Sequence, residues 1–234
     1  MAALNQNGSG WSSVVARGIV YAADLKAGPL ANFPVVINMS LGEPGLDEME
    51  KAAIDLAIGK GVVIVASAGN EGEKGMGCPG AYPPVVSVAA SGWTGEWLVG
   101  ETWWKSGNVP DPTNPDDFYI ADFSGRALPG QDLDVAAPGS WIVGPYQTNS
   151  GQLSYYFLGG TSMASPHVAG IVALMLEKKP RLTAEAVEKI LVDAAIYLAP
   201  GCRTVTGTPT PVCWGADATG AGLITADAAL KATR

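Results

Sequence analysis

Gly159-Gly160-Thr161-Ser162-Met163-Ala164-Ser165-Pro166-His167-Val168-Ala169-Gly170 runs two glycines straight into the start of a segment with helical apolar spacing. Glycine lets backbone approach a bound ligand, and the amide end of a helix carries partial positive charge. A serine at that junction therefore sits where an alkoxide or tetrahedral oxyanion is stabilised. A serine at a helix start is also an ordinary cap, so position alone does not separate the two roles. The helix predicted here runs from Ser162 to Lys178 and stops before Pro180. A second follows from Thr183 to about Leu198, and a short one near Thr225 to Ala232.

Upstream of the junction, helical and β-type patterns alternate. From Trp11 to Lys26 the residues Val14, Val15, Ile19, Ala22 and Ala23 recur at three- and four-residue spacing, with Ser12 or Ser13 available as cap. Val35 to Gly42 begins with an uninterrupted apolar run that suits a strand buried on both faces. Asp47 can cap a helix reaching about Ile58 through Met49, Ala53, Ile54 and Ala57. Gly59 and Gly61 break it before the β-branched run Val62 to Val65. Further strands are expected at Val85 to Val88 and within Asp132 to Gly139. Alternation with short connections implies an α/β fold of three layers, a mostly parallel sheet flanked by helices. Between Trp93 and Tyr119 the period fails, and Trp93, Trp97, Trp103 and Trp104 mix with Asp111, Asp116 and Asp117. We read a long loop packed on its own tryptophans, the alternative being an aromatic and acidic pocket or a calcium site.

Composition narrows the function. With 47% apolar and 15% charged residues, the 234 residues can bury a sizeable core as one domain. A net charge of −8 disfavours nucleic acid and anionic membrane as partners. No apolar run is long enough to span a bilayer, and the first ten residues lack the pattern of a secretory signal, so any export signal is expected outside this chain. Cys202 and Cys213 bracket a Thr/Pro/Gly-rich segment at a spacing compatible with a disulfide-closed loop. That would place the protein in an oxidising, extracellular setting and leave Cys78 as an inert buried thiol, a free thiol or one with a partner elsewhere.

The run from Gly160 to Gly170 resembles the nucleophile motif of the subtilisin-like serine peptidases. Val36-Ile37-Asn38-Met39-Ser40-Leu41-Gly42 resembles their substrate-binding strand, and Ser67-Ala68-Gly69-Asn70-Glu71-Gly72 the turn carrying their oxyanion asparagine. Asn7-Gly8-Ser9-Gly10, Leu133-Asp134-Val135 and Gly222-Leu223-Ile224 agree in the same order. The resemblance covers nearly the whole chain and identifies residues 1–234 as a single, partial catalytic domain, its C-terminal portion. It implies Ser162 as nucleophile, with Asn70 and the Ser162 N–H as oxyanion donors. Ser40, Leu41 and Gly42, with Ser67, Ala68 and Gly69, would wall the pocket for the residue before the scissile bond, and extended polypeptide substrate would add as a strand. Family members often bind structural calcium, so the resemblance leaves room for it without locating ligands. No catalytic metal is expected, since no Cys/His cluster has ligand spacing.

The family's aspartate turn and His-Gly-Thr/Ser helix start do not occur in these residues, and the single histidine, His167, lies five positions past Ser162. On one helix that is about 7.5 Å along the axis and about 140° around it, so it is not expected to take the serine's proton. In the family the strand bearing the aspartate pairs with the one matched by Val35 to Leu41. A bare edge is therefore expected there, open to a complementary N-terminal segment or a second copy. Three readings stand: an endopeptidase completed from outside this chain, a catalytically inactive peptide-binding module, and a serine esterase with an unconventional base.

Overall fold

The computed structural model describes residues 3–5, 7–96, 109–149 and 152–234. Trp97, Trp103 and Trp104 of the tryptophan-rich loop lie outside them.

The main sheet is built from β1 (Val35–Met39), β2 (Val62–Ser67), β3 (Val86–Trp93), β4 (Phe118–Ile120) and β5 (Val135–Pro138). β1 pairs parallel with β2, from Val35 opposite Val62 to Met39 opposite Ala66, and β2 pairs parallel with β3. β3 takes β5 in parallel and β4 antiparallel. Helices α1 (Ser12–Ala27) and α2 (Glu48–Gly59) cover one face. Helices α3 (Thr161–Lys178), α4 (Ala184–Ala194) and α5 (Ala226–Ala232) cover the other.

The alternation of β2 shows why this sequence makes layers. Val62, Ile64 and Ala66 pack with Ile19, Ile54 and Ala57 under α1 and α2. Val63 and Val65 point the other way, into a core shared with Ala164, Val168 and Val172 of α3. All six β2 residues are buried. The β-branched run is thus apolar on both faces because helices lie over both.

Several expectations are corrected. Ser12 and Ser13 do not cap α1; Trp11 holds the cap position without a side-chain bond, and Ser12 Oγ turns to Glu43 Oε1 at 3.4 Å. Asp47 does cap α2, accepting from Met49 N and Glu50 N, but Met49 is 54% exposed and Glu50 is 3% exposed. The buried stripe is therefore Glu50, Ala53, Ile54 and Ala57. β1 is not buried on both faces: Val35 to Ile37 are half-buried and Asn38 is exposed, because only β2 flanks β1 among the described residues. The helix expected to reach Leu198 ends at Ala194. Ile196 instead exchanges backbone bonds with Leu223 at 2.8 and 2.9 Å, an approach that glycine at 222 permits, since a Cβ there would collide with Ile196 O.

Two hairpins were not expected, β6 (Ile142–Asn149) with β7 (Gln152–Leu158), and β8 (Gly201–Arg203) with β9 (Val212–Trp214). The second is closed by the Cys202–Cys213 disulfide, as the cysteine spacing suggested, and Cys78 is free and half-buried. The carboxylates of the long loop do not converge: Asp111 accepts from Thr113, Asp116 pairs with Arg203 at 2.8 Å, and Asp117 accepts from Asn114.

Candidate active site

Ser162 stands in the first turn of α3, and that turn is held by a lattice of side-chain bonds joining the three matched motifs. The N-cap of α3 is Gly160, which offers no side chain to the orphan N–H groups of the helix start. Asn70 supplies the acceptor: its Oδ1 takes the Thr161 N–H at 2.9 Å and the Thr161 hydroxyl at 3.0 Å. Thr161 Oγ1 in turn accepts from Gly69 N at 3.2 Å. Gly69 adopts φ +97°, and a Cβ there would meet Gly77 N at 2.9 Å, so the turn presenting Asn70 requires glycine.

Pro166 explains the second half of the lattice. Having no N–H, it cannot bond the Ser162 carbonyl four residues back, which an uninterrupted helix would require. Ser40 Oγ donates to that carbonyl at 2.8 Å, while Ser162 Oγ donates to the Ser40 carbonyl at 3.4 Å. Asn38 Nδ2 donates to Ser40 Oγ at 2.9 Å, and Ser165 Oγ donates to Asn38 Oδ1 at 2.6 Å. The strand motif and the helix motif are therefore two halves of one hydrogen-bonded unit.

With Asn70 Oδ1 committed to Thr161, its Nδ2 is the end left to donate. A Cβ on Gly160 would lie 3.7 Å from Asn70 Nδ2 and 3.7 Å from Ser162 N, so the space left open by that glycine is flanked by both donors. Neither makes a hydrogen bond to protein among the described residues. Two N–H donors on either side of one space beside a serine can hold a carbonyl oxygen that gains negative charge.

A cavity of about 460 Å³ opens at this corner, lined among others by Leu41, Gly42, Ser67, Gly69, Asn70 and Ser162. Ser162 and Asn70 thus face one space. Ala68 is fully buried and contributes backbone only, bonding Val88 O and Gly77 N. Ser40 lies off this cavity and acts on Ser162 through the bonds just described. Sequence reasoning did not single out Thr161 as the residue that orients Asn70, nor Glu71 and Lys74 as further lining residues, paired at 3.7 Å with both side chains strongly exposed. His167 is exposed, and its Nδ1 lies 2.8 Å from Met163 O, within its own helix turn and away from the Ser162 hydroxyl.

A model of the subtilase family matches residues 1–224. The chain belongs to the subtilase family. Subtilisin DY from Bacillus licheniformis is 37% identical over 199 residues, spanning 83% of this chain and 59% of its own length. Subtilisin E from Bacillus subtilis (strain 168) is 36% identical over 83% of this chain and 42% of its own. The chain therefore spans about three-fifths or less of these relatives. Among solved structures, sphericase superposes with a TM-score of 0.71 at 28% identity, covering 94% of this chain and 66% of that one. A protein titled S41 psychrophilic protease gives 0.68 at 29% identity. The three-layer fold is the subtilase fold.

Away from the serine, one group of carboxylates is placed to hold a cation. Ligand atoms of Asp132, Asp134 and Glu188 lie within 4.8 Å of one another. Burial pushes the Asp134 carboxyl up to about 6 although Ser87 N and Oγ both donate to it. Burial, then the charges of Asp134 and Asp132, push Glu188 up to about 7. A divalent cation would relieve that crowding.

Proposed function

We propose that residues 1–234 are the C-terminal portion of a serine endopeptidase domain of the subtilisin type, with Ser162 as nucleophile. The reading rests on one observation: Ser162 and Asn70 line a single cavity with Leu41 and Gly42, and a Cβ on Gly160 would lie 3.7 Å from both Asn70 Nδ2 and Ser162 N. In this mechanism Ser162 Oγ leaves the Ser40 carbonyl and attacks the peptide carbonyl carbon, and the two donors hold the oxygen as it becomes negative. The peptide C–N bond then breaks, the amine departs with a proton, and water hydrolyses the ester on Ser162. Leu41, Gly42, Ser67 and Gly69 wall the slot for the residue before the scissile bond, with Ser40 and Ala68 supporting them.

The serine's proton needs a base, whose removal costs subtilisins, by the general experience of this enzyme class, about a millionfold in turnover. We assign the base and its aspartate partner to polypeptide outside these residues, docked along the open edge of β1. The edge supports this, since β1 has β2 as its one strand partner among the described residues. A second copy is the other candidate for that edge. Asp132, Asp134 and Glu188 are the proposed holders of structural calcium, which would tie the β5 approach to α4 and take no part in the chemistry. The disulfide supports an extracellular setting, and no helix among the described residues is long and apolar enough to cross a membrane.

A fluorophosphonate probe with peptide mapping tests this, on the chain alone and mixed with a segment bearing the family's aspartate and histidine motifs. Labelling of Ser162 only in the mixture is expected. Labelling of the chain alone would favour an esterase with its own base, and labelling in neither would leave an inactive peptide-binding module.

A further inference from the structure

A second cavity, of about 290 Å³, lies beside the Ser162 cavity and shares Leu41, Gly42 and Glu43 with it. Its character is different. Leu4, Val15 and Leu41 give it apolar walls, Glu43 and Glu50 give it acid, and no lysine, arginine or histidine lines it. Glu50 is the unusual member: it is 3% exposed, and its Oε1 has no hydrogen-bond partner. A buried carboxylate oxygen without a donor is costly, and native proteins leave few such atoms unless something else supplies the partner. Burial, followed by the charges of Glu43 and Asp47 and a carboxyl–carboxyl hydrogen bond with Glu43, lifts the Glu50 carboxyl to about 7. Glu50 and Glu43 also reach Cys78 on the cavity wall, whose thiol is pushed up by burial and then by these two charges. The site therefore brings two carboxyls together with no basic side chain beside them, and leaves Glu50 Oε1 without a donor.

A bare metal ion does not match it. Among the described residues the one group of three candidate ligands close enough to share an ion is at Asp132, Asp134 and Glu188. Apolar walls ending in carboxylates instead match a side chain with an aliphatic stem and a cationic tip. We propose that this cavity receives a lysine or arginine side chain of the bound polypeptide, on the acyl side of the scissile bond, with Glu43 and Glu50 as its acceptors. The inference rests on the proposed function for its polypeptide ligand: an extended chain pairing beside Ser40–Gly42 advances about 3.3 Å per residue, so side chains preceding the slot residue pass the second cavity.

The test uses product peptides ending in a free carboxylate, with lysine or norleucine at each of the three positions before the last residue in turn. Binding to the intact chain is read by fluorescence polarisation at pH 8. One position is expected to favour lysine at least ten-fold, and the preference should fall toward one in Glu50→Gln and in Glu43→Gln, whose folding is checked by circular dichroism. Equal binding of lysine and norleucine peptides at all three positions overturns the inference and leaves the Ser162 reading standing. If no peptide binds, the Ser162 reading fails instead, and the cavity is judged by Cys78, the free thiol left by the Cys202–Cys213 disulfide. Butylguanidinium slowing alkylation of Cys78 in the wild type but not in Glu50→Gln sustains the cation site. No slowing overturns it.

Discussion

Replacing Asn70 by aspartate and by alanine separates its two jobs, because the structure assigns them to different atoms. Oδ1 accepts two bonds from Thr161, at 2.9 and 3.0 Å, and Thr161 is fully buried. Asn70→Ala removes both. The Thr161 N–H loses its partner in a dry place, at about 1–3 kcal/mol, and the hydroxyl bond adds about 1 kcal/mol, so the expected destabilisation is about 2–4 kcal/mol. Asn70→Asp keeps both acceptors and adds negative charge at the start of α3, where the helix dipole favours it, so its stability should stay within about 1 kcal/mol of wild type. What aspartate lacks is Nδ2. A product peptide whose carboxylate enters the Ser162 corner should bind best to wild type, less well to Asn70→Ala, and worst to Asn70→Asp, where an oxygen faces an oxygen. Urea unfolding followed by tryptophan fluorescence gives the first ranking and fluorescence polarisation the second. The two rankings should place alanine and aspartate in opposite order. If aspartate were the less stable variant as well as the weaker binder, or bound product as well as wild type, the division between Oδ1 and Nδ2 would be refuted.

Stability should also depend on pH through Asp134 and Glu188, whose folded values stand at about 6 and about 7 against ordinary values of 3.8 and 4.5. The folded chain holds these protons where the unfolded chain has released them, so stability is withdrawn as pH rises from about 4 to about 7 and is flat above. Glu188→Gln should gain on the wild type across that window, reaching about 1–3 kcal/mol at pH 8, and added calcium should protect the wild type more than the variant in thermal melts. An unchanged difference between pH 4 and pH 8 would count against the acidic group. Replacing Cys202 and Cys213 by serine opens a loop with a sequence separation of 11, worth about 3 kcal/mol by chain entropy. A urea midpoint that does not move would mean that the hairpin unfolds independently of the sheet.

Much of this was legible because local chemistry and tertiary structure agree. Asp47 caps α2, Val62 to Val65 form the buried strand, and Thr225 caps α5, each by interactions within a few residues. Misreadings arose where a distant partner decided the outcome. α4 stops at Ala194 because Ile196 finds Leu223, and β1 is half-exposed because it stands at an edge. The hairpin at Ile142 and Gln152 escaped the reading because Ile142 and Val143 are half-buried and Tyr155 and Tyr156 exposed, none of them in the layered core from which the pattern is read. Glu50 left a signal that went unused: positions 50, 53, 54 and 57 have helical spacing, and a glutamate on that stripe is an acid turned inward. The Ser162 corner was legible as motifs, but not as a lattice, since Thr161, Pro166 and Ser40 acquire their roles only when the strand and the helix meet.

Helix α3 packs on β1, β2, β3 and β5 at once, so its first turn inherits its position from the middle of the molecule rather than from the loops around the cavity. Changes in the Cys202–Cys213 hairpin or the β6–β7 hairpin should therefore leave the reacting atoms in register. A protein built this way can acquire new tastes by swapping its periphery, and it fails by loosening at its centre.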